Sequence, residues 1–399
     1  MTASGGFTPP PYPYERLRSL ADVAATSPGG LVDLSVGTPG DPPPPEVIEA
    51  LSRSGAERGY PSSVGAPAYR RAAADYLGRR FGVHLEPEHV AACVGTKELV
   101  ASTAWYLRLR RPERDTVLGP ALAYPTYAMG ATLAGCRYVG LPAGPGGAPE
   151  LAVVADDDAR RAVVVWANSP ANPSGAVFDL GPLAAWGRSH DVPVCSDECY
   201  AEFTWRGTPA SVLQHGVEGV LALHSLSKRS NLAGLRAGFY AGDAELTAYL
   251  ASVRTHAGLM VPGPVQSAAA VALADDAHVE LQRRRYLGRL EHTAAAFQAV
   301  GLDATVPHGG FYLWVPVPGW AEEQSRGEGR DGAWVLAEAL ARCAGILVSP
   351  GEFYGPTGAG FVRVAVVVPD ERLDPALERL VKAGDGLAGA VPGSREPAR

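Results

Sequence analysis

Lys228 sits in the stretch Ser225-Leu226-Ser227-Lys228-Arg229-Ser230-Asn231-Leu232-Ala233-Gly234-Leu235-Arg236-Ala237-Gly238, directly after the apolar run 220–223. That run reads as a buried strand, so the lysine stands at a strand end framed by hydroxyls. It can be desolvated there, and a desolvated lysine loses its proton and becomes a nucleophile. Arg236 adds a planar fork suited to a phosphate, with Ser225 and Ser227 as hydroxyl partners. A solvent-exposed basic loop is the alternative for a Ser-Lys pair taken alone. Three other places carry groups that need a partner. Asp197 closes the apolar stretch 193–197, and a buried acid is unfavourable unless paired. Arg363 is the single charge in Gly360-Phe361-Val362-Arg363-Val364-Ala365-Val366 and needs an anion, whether a structural carboxylate or a bound one. Gly95-Thr96 joins a strand-like run, 90–94, to a helical one. Such a junction exposes unpaired N–H groups and the positive end of a helix dipole.

The elements around these residues alternate. Strand-like runs fall at 31–36, 90–94, 116–119, 162–166, 193–197 and 220–223, with helical patterns from 46, up to 81, and from 96 to 107 between them. This alternation predicts an α/β fold with a doubly wound, mixed and mostly parallel sheet, its site at the strand ends. From 263 to 300 the pattern is helical, and the charged stretch 282–289 suits a long helix linking two domains. Further strands are expected at 309–314 and 360–366, a helix at 335–343, and a mobile polar loop at 322–331. Pro9-Pro10-Pro11 makes 1–14 an arm without regular structure, and 384–399 reads as a disordered tail.

The order Ser-x-Ser-Lys, then Gly-x-Arg-x-Gly, resembles the cofactor-carrying segment of the class I/II aminotransferases, and so does Asn168-Ser169-Pro170-Ala171-Asn172-Pro173-Ser174-Gly175. The resemblance runs from about 31 to about 382. It implies fold-type I, with a large pyridoxal 5′-phosphate (PLP) domain over 46–281. A smaller α+β domain would be built from 15–45 and 282–383. It further implies that Lys228 carries PLP covalently and later moves a proton. Asp197 would face the pyridine nitrogen, Asn172 and Tyr200 the phenolic oxygen, and Tyr124 the ring face. Gly95, Thr96, Lys97, Ser225 and Arg236 would hold the phosphate. Tyr60, in Tyr60-Pro61-Ser62-Ser63-Val64-Gly65-Ala66-Pro67-Ala68-Tyr69-Arg70, would reach the phosphate of a second subunit across a homodimer interface. Arg363, with Gly37 and Asn172, would take the substrate α-carboxylate.

Within that family, Gly95-Thr96-Lys97-Glu98-Leu99, Leu122-Ala123-Tyr124-Pro125-Thr126-Tyr127 and Pro350-Gly351-Glu352-Phe353-Tyr354-Gly355 are similar to actinobacterial N-succinyldiaminopimelate aminotransferases. The branch implies glutamate as amino donor and N-succinyl-2-amino-6-oxopimelate as acceptor, in amino-acid biosynthesis. Leu235 stands where the branch has an aromatic residue, and His308-Gly309-Gly310-Phe311 departs from its small and acidic residues. The other reading is a secondary-metabolism enzyme that uses the same lysine for elimination, replacement or C–C bond formation on an amino acid such as S-adenosylmethionine.

Bulk properties agree with an enzyme of small molecules. The chain has 399 residues, 46% of them apolar and 19% charged, enough for a large core. A net charge of −7 with no basic run argues against nucleic acid as a partner. No apolar span reaches membrane length, and the Pro-rich start does not read as a signal segment, so a cytoplasmic location is expected. Five scattered cysteines complete no metal-binding pattern; they are expected to be reduced and mostly buried. PLP is the only cofactor expected, with an amino acid and a 2-oxo acid as the small-molecule partners.

Overall fold

The computed structural model describes residues 6–328 and 330–391. Its centre is a seven-stranded sheet in the order Val90–Cys93, Gly238–Gly242, Val220–Ser225, Val194–Asp197, Ala162–Asn168, Thr116–Pro120, Arg137–Leu141. Neighbouring strands are parallel except at Gly238–Gly242, which runs antiparallel to both of its partners. Helices Pro67–Phe81, Gly181–Ser189 and Gly263–Ala274 pack on one face. Helices Thr96–Arg110, Thr126–Leu133 and Ala244–His256 pack on the other. Both faces are covered, so the central strands are buried along their whole length rather than alternating. Ala162–Asn168 is buried at every position.

A second core forms around the antiparallel strands Ser349–Pro350, Phe361–Ala365 and Tyr312–Pro316. Helices Ala277–Gln298, Gly332–Ala344 and Asp370–Ala383 pack against them, and Val32–Asp33 pairs parallel with Ile346–Leu347. Residues near both ends of the chain thus share one core. Arg289, on the long helix Ala277–Gln298, fixes this arrangement. Its guanidinium holds buried Asp41 at 2.6 and 2.9 Å and Asp370 at 2.5 Å.

Several expectations are corrected. The polar loop expected at 322–331 is mostly helix, Gly319–Glu328, because Ala321 and Ser325 are one turn apart and both turn inward. The helical pattern 263–300 is two helices, broken at Asp275-Asp276. The strand expected from 309 begins at Tyr312; Gly310, with φ +75°, sits just before it. The tail is ordered as far as described: Gly384–Leu387 makes a 3₁₀ turn, and Leu387 and Val391 are buried. Residues 392–399 of that expected tail lie outside the described residues. The cysteines form no disulfide; Cys93 and Cys195 are buried, while Cys136, Cys199 and Cys343 are only partly so. No described helix is long and apolar enough to cross a membrane.

Candidate active site

Three parallel strands end side by side. Asn168 is in register with Asp197, and Asp197 with Leu223, two residues before Ser225. The chain continues from Ser225 into the short helix Leu226–Arg229, whose third residue is Lys228; the Ser225 hydroxyl accepts from the Ser227 amide at 3.2 Å and starts that turn. The antiparallel strand Gly238–Gly242 lies between Val220–Ser225 and Val90–Cys93, and so brings Arg236 beneath Gly95. Arg236 adopts φ +54°, a conformation costly for a branched side chain and retained only where the surroundings fix it. A Cβ on Gly95 would stand 2.3 Å from Arg236 Nη2, so a glycine is required at this junction.

Around these ends lies a cavity of about 460 Å³. Lys228, Asp197, Tyr200, Asn172, Tyr124, Thr96, Lys97, Ser225, Arg236, Gly37 and Arg363 all line it. Gly95 sits against Arg236 just behind the wall. Tyr60 alone lies elsewhere, 101% exposed. Tyr12, Tyr14, Tyr127, Asn168 and Tyr312 also line the cavity and were not singled out from the sequence as site residues. Tyr127 carried a signal, its spacing from Tyr124; the two arm tyrosines carried none, since proline surrounds them. Leu235 closes the 3₁₀ turn Ala233–Leu235, and His308 lies outside the cavity.

Burial sets the electrostatics. Desolvation lowers the Lys228 ammonium to about 8, with Arg363 and Arg236 adding to the effect and Cys199 and Asp197 opposing it. Its Nζ donates to the Gly37 carbonyl. Desolvation raises the Asp197 carboxyl, against hydrogen bonds from Tyr127 Oη at 3.0 Å and the Cys199 amide at 3.3 Å. Arg363 is 1% exposed and meets no carboxylate among the described residues. Nη1 donates to Asn172 Oδ1 at 2.8 Å, and Nη2 to the Ser35 carbonyl at 2.6 Å and Tyr14 Oη at 3.1 Å. Nε has no hydrogen-bond partner. Because Asn172 Oδ1 accepts from Arg363, its amide N–H₂ is left to donate into the cavity. A Cβ on Gly37 would be 2.1 Å from Tyr312 Oη, which in turn bonds Tyr200 Oη at 2.9 Å.

Residues 30–380 match the family described as aminotransferase class I and II. The chain belongs to the class I and II aminotransferases. This aminotransferase is 42% identical over 382 residues to the 4-dedimethylamino-4-oxo-anhydrotetracycline transaminase OxyQ of Streptomyces rimosus, covering 93% of this chain and 99% of the relative. It is 42% identical over 381 residues to a probable aminotransferase of Mycobacterium tuberculosis, covering 93% and 85%. The solved structure of a probable N-succinyldiaminopimelate aminotransferase from Thermus thermophilus superposes with TM-score 0.79 at 30% identity, covering 93% of this chain and 99% of that one. The fold is therefore fold-type I, and the enzyme is PLP-dependent.

The cavity of this aminotransferase fits PLP chemically. It presents one amine with a depressed pKa and one buried carboxylate. It also offers a guanidinium beside a helix start and a buried hydroxyl, Ser225. Glu98, in the first turn of that helix, would repel a phosphate. Fully buried Arg254 neutralises it with two bonds, at 2.5 and 2.9 Å.

Proposed function

We propose that this aminotransferase moves the amino group of glutamate to N-succinyl-2-amino-6-oxopimelate. Beyond Lys228 and Arg236, which the cofactor would engage, the observation that carries the proposal is two further cavity cations with no acidic partner among the described residues, Arg363 buried and Lys97 exposed. Lys97 donates to Tyr12 Oη at 3.0 Å and lies 5.9 Å from the Tyr124 ring. Two such charges suit a dicarboxylic donor, with Arg363 on the α-carboxylate and Lys97 on the side-chain carboxylate. An acceptor of the same acidic kind meets the same two groups. The name of the Thermus structure supports this acceptor.

In this reading Lys228 would hold PLP and Asp197 would serve its ring nitrogen. Asn172 and Tyr200 would serve its phenolic oxygen and Tyr124 its ring. Gly95, Thr96, Ser225 and Arg236 would hold its phosphate, with Lys97, expected there from the sequence, turned to the substrate instead. When bound, PLP supplies an electron sink conjugated to the substrate Cα. The protein's part is positional and protonic. Arg363 and Gly37 orient the donor. The Lys228 amine would take the Cα proton, and the Asp197 carboxylate would favour a positive charge on the ring nitrogen. Tyr14 and Tyr12 cover the cavity and exclude water. Tyr60, fully exposed in one chain, supports a homodimer in which it completes the partner's phosphate site. The large domain follows the seven-stranded sheet and the small domain the second core.

A second reading concerns the acceptor alone. The Streptomyces rimosus relative is named for a polycyclic ketone and is 42% identical, which supports a bulky ketone in place of the oxopimelate. A screen with glutamate as donor decides between them. Turnover with N-succinyl-2-amino-6-oxopimelate supports the first; turnover with polycyclic ketones only supports the second.

Two further results are expected. Capture of PLP by the apo chain needs the neutral amine, so its rate should rise about tenfold per pH unit up to about 8 and level off above. The same depressed pKa makes the unfolded chain bind more protons between about 8 and the ordinary 10.5, so Lys228 adds to apo stability as pH rises through that window. A pH-independent capture rate between 6 and 9 contradicts this. Arg363→Lys loses the paired hydrogen bonds that a guanidinium makes to a carboxylate, so KM for glutamate should rise by about 10–100-fold. The spectrum of bound PLP should be unaltered. An unchanged KM with a lower melting temperature contradicts the carboxylate role.

A further inference from the structure

A second, larger cavity lies back to back with the catalytic one. Its volume is about 930 Å³. One wall comes from 120–123 and 140–149, a second from the segment 168–178, and the roof from 305–308 with Thr357. The lining is mainly apolar, with Leu122, Leu141, Pro142, Phe178, Val306 and Pro307 contributing most of its side-chain bulk. Arg206 and His308 stand at one end, Nη1 to Nε2 at 3.4 Å. Among the described residues no Asp or Glu lines this cavity, and none lies within ion-pair distance of Arg206.

The two cavities share only Asn168 and Asn172 among their lining residues. The Ala123 amide donates to the Tyr354 carbonyl at 2.8 Å. A Cβ on Gly355 would be 2.3 Å from the Ala121 carbonyl oxygen, and one on Gly358 would be 3.1 Å from Leu122 Cδ1. The segment 354–358 is thus packed tightly on 121–123, beside the shared asparagines. The roof hangs on the same shared segment, with the Gly309 amide donating to the Gly175 carbonyl at 2.9 Å and the His308 carbonyl accepting from the Trp205 amide at 2.8 Å.

We infer that this groove is a second ligand site, separate from the amino-acid site, for an apolar organic anion. The volume is that of a site for a small organic molecule. Burying an apolar body against Leu141, Phe178 and Val306 supplies the affinity, and the guanidinium of Arg206, with no acidic partner among the described residues, selects an anionic end. A ligand wedged between roof and floor touches the 168–176 segment from behind, and Asn172 in that segment accepts from Arg363 Nη1. Occupancy of the groove is thereby coupled to donor binding, and any such coupling is reciprocal.

The probe for the test is 8-anilinonaphthalene-1-sulfonate, an apolar anion, titrated into the holoenzyme by fluorescence. Saturable binding of one molecule per chain is expected, and it should persist at saturating glutamate. Arg206→Glu, at an exposed position, should leave the melting temperature unchanged and weaken the probe at least about tenfold. Val306→Trp, which fills the groove, should weaken it comparably, while Arg363→Lys should leave it unaltered. Glutamate should shift the probe's Kd by the factor by which the probe shifts that of glutamate. Full displacement of the probe by glutamate overturns the inference, because the probe then occupies the catalytic cavity. Undiminished binding in Arg206→Glu also overturns it, whatever happens to the folding of Val306→Trp.

Discussion

Lys228→Ala is expected to leave PLP bound but no longer covalently held, with turnover lower by at least about four orders of magnitude. The phosphate contacts proposed for Arg236, Gly95, Thr96 and Ser225 do not involve Lys228, so the cofactor should still copurify or rebind. Lys228 carries the one amine in the cavity whose pKa burial has brought down to about 8. Without it, borohydride should fix no cofactor to the chain, and no group is left to take the Cα proton. Lys97, the other lysine of the cavity, is exposed and engaged with Tyr12, so it is no substitute. Retained covalent cofactor in the mutant would remove Lys228 from its role.

Asp197→Asn should lower turnover by about 10²–10³-fold while changing PLP affinity far less. The carboxylate is 6% exposed at a strand end, held by Tyr127 Oη and the Cys199 amide. Desolvation pushes this acid upward, and a cation facing it, such as a protonated ring nitrogen, would favour its charged form. An amide has nearly the same shape and can keep one bond with Tyr127, but it carries no charge. A structural role for Asp197 predicts a lower melting temperature and turnover within a few-fold of the parent. Measuring both on the same preparation separates the two.

What could be read from the sequence follows from distance along the chain. Asn172, Asp197 and Lys228 each close or follow an apolar run, and a doubly wound sheet delivers such ends to one edge. Arg363 was legible because a lone charge in an apolar strand needs an anion. The arm was not. Tyr14 meets Tyr354 and Arg363 across 340 and 349 residues, contacts that no local pattern in a Pro-rich segment encodes. The helix Gly319–Glu328 was hidden differently: among its residues of described burial only Ala321 and Ser325 are deeply buried, too little apolar surface to stand out from a polar loop. Tyr60 lies on bare surface in the single chain, and only the homodimer proposed above would give it a partner.

The most direct test of the central claim is a single half-reaction. Holoenzyme is mixed with excess glutamate and no acceptor, and 2-oxoglutarate is counted against bound cofactor. Amino transfer predicts one 2-oxoglutarate for each PLP, full conversion of the cofactor to its amino form, and recovery of the starting spectrum when a 2-oxo acid is added. Continuous release of ammonia or of an elimination product, with the cofactor spectrum returning unaided, contradicts it.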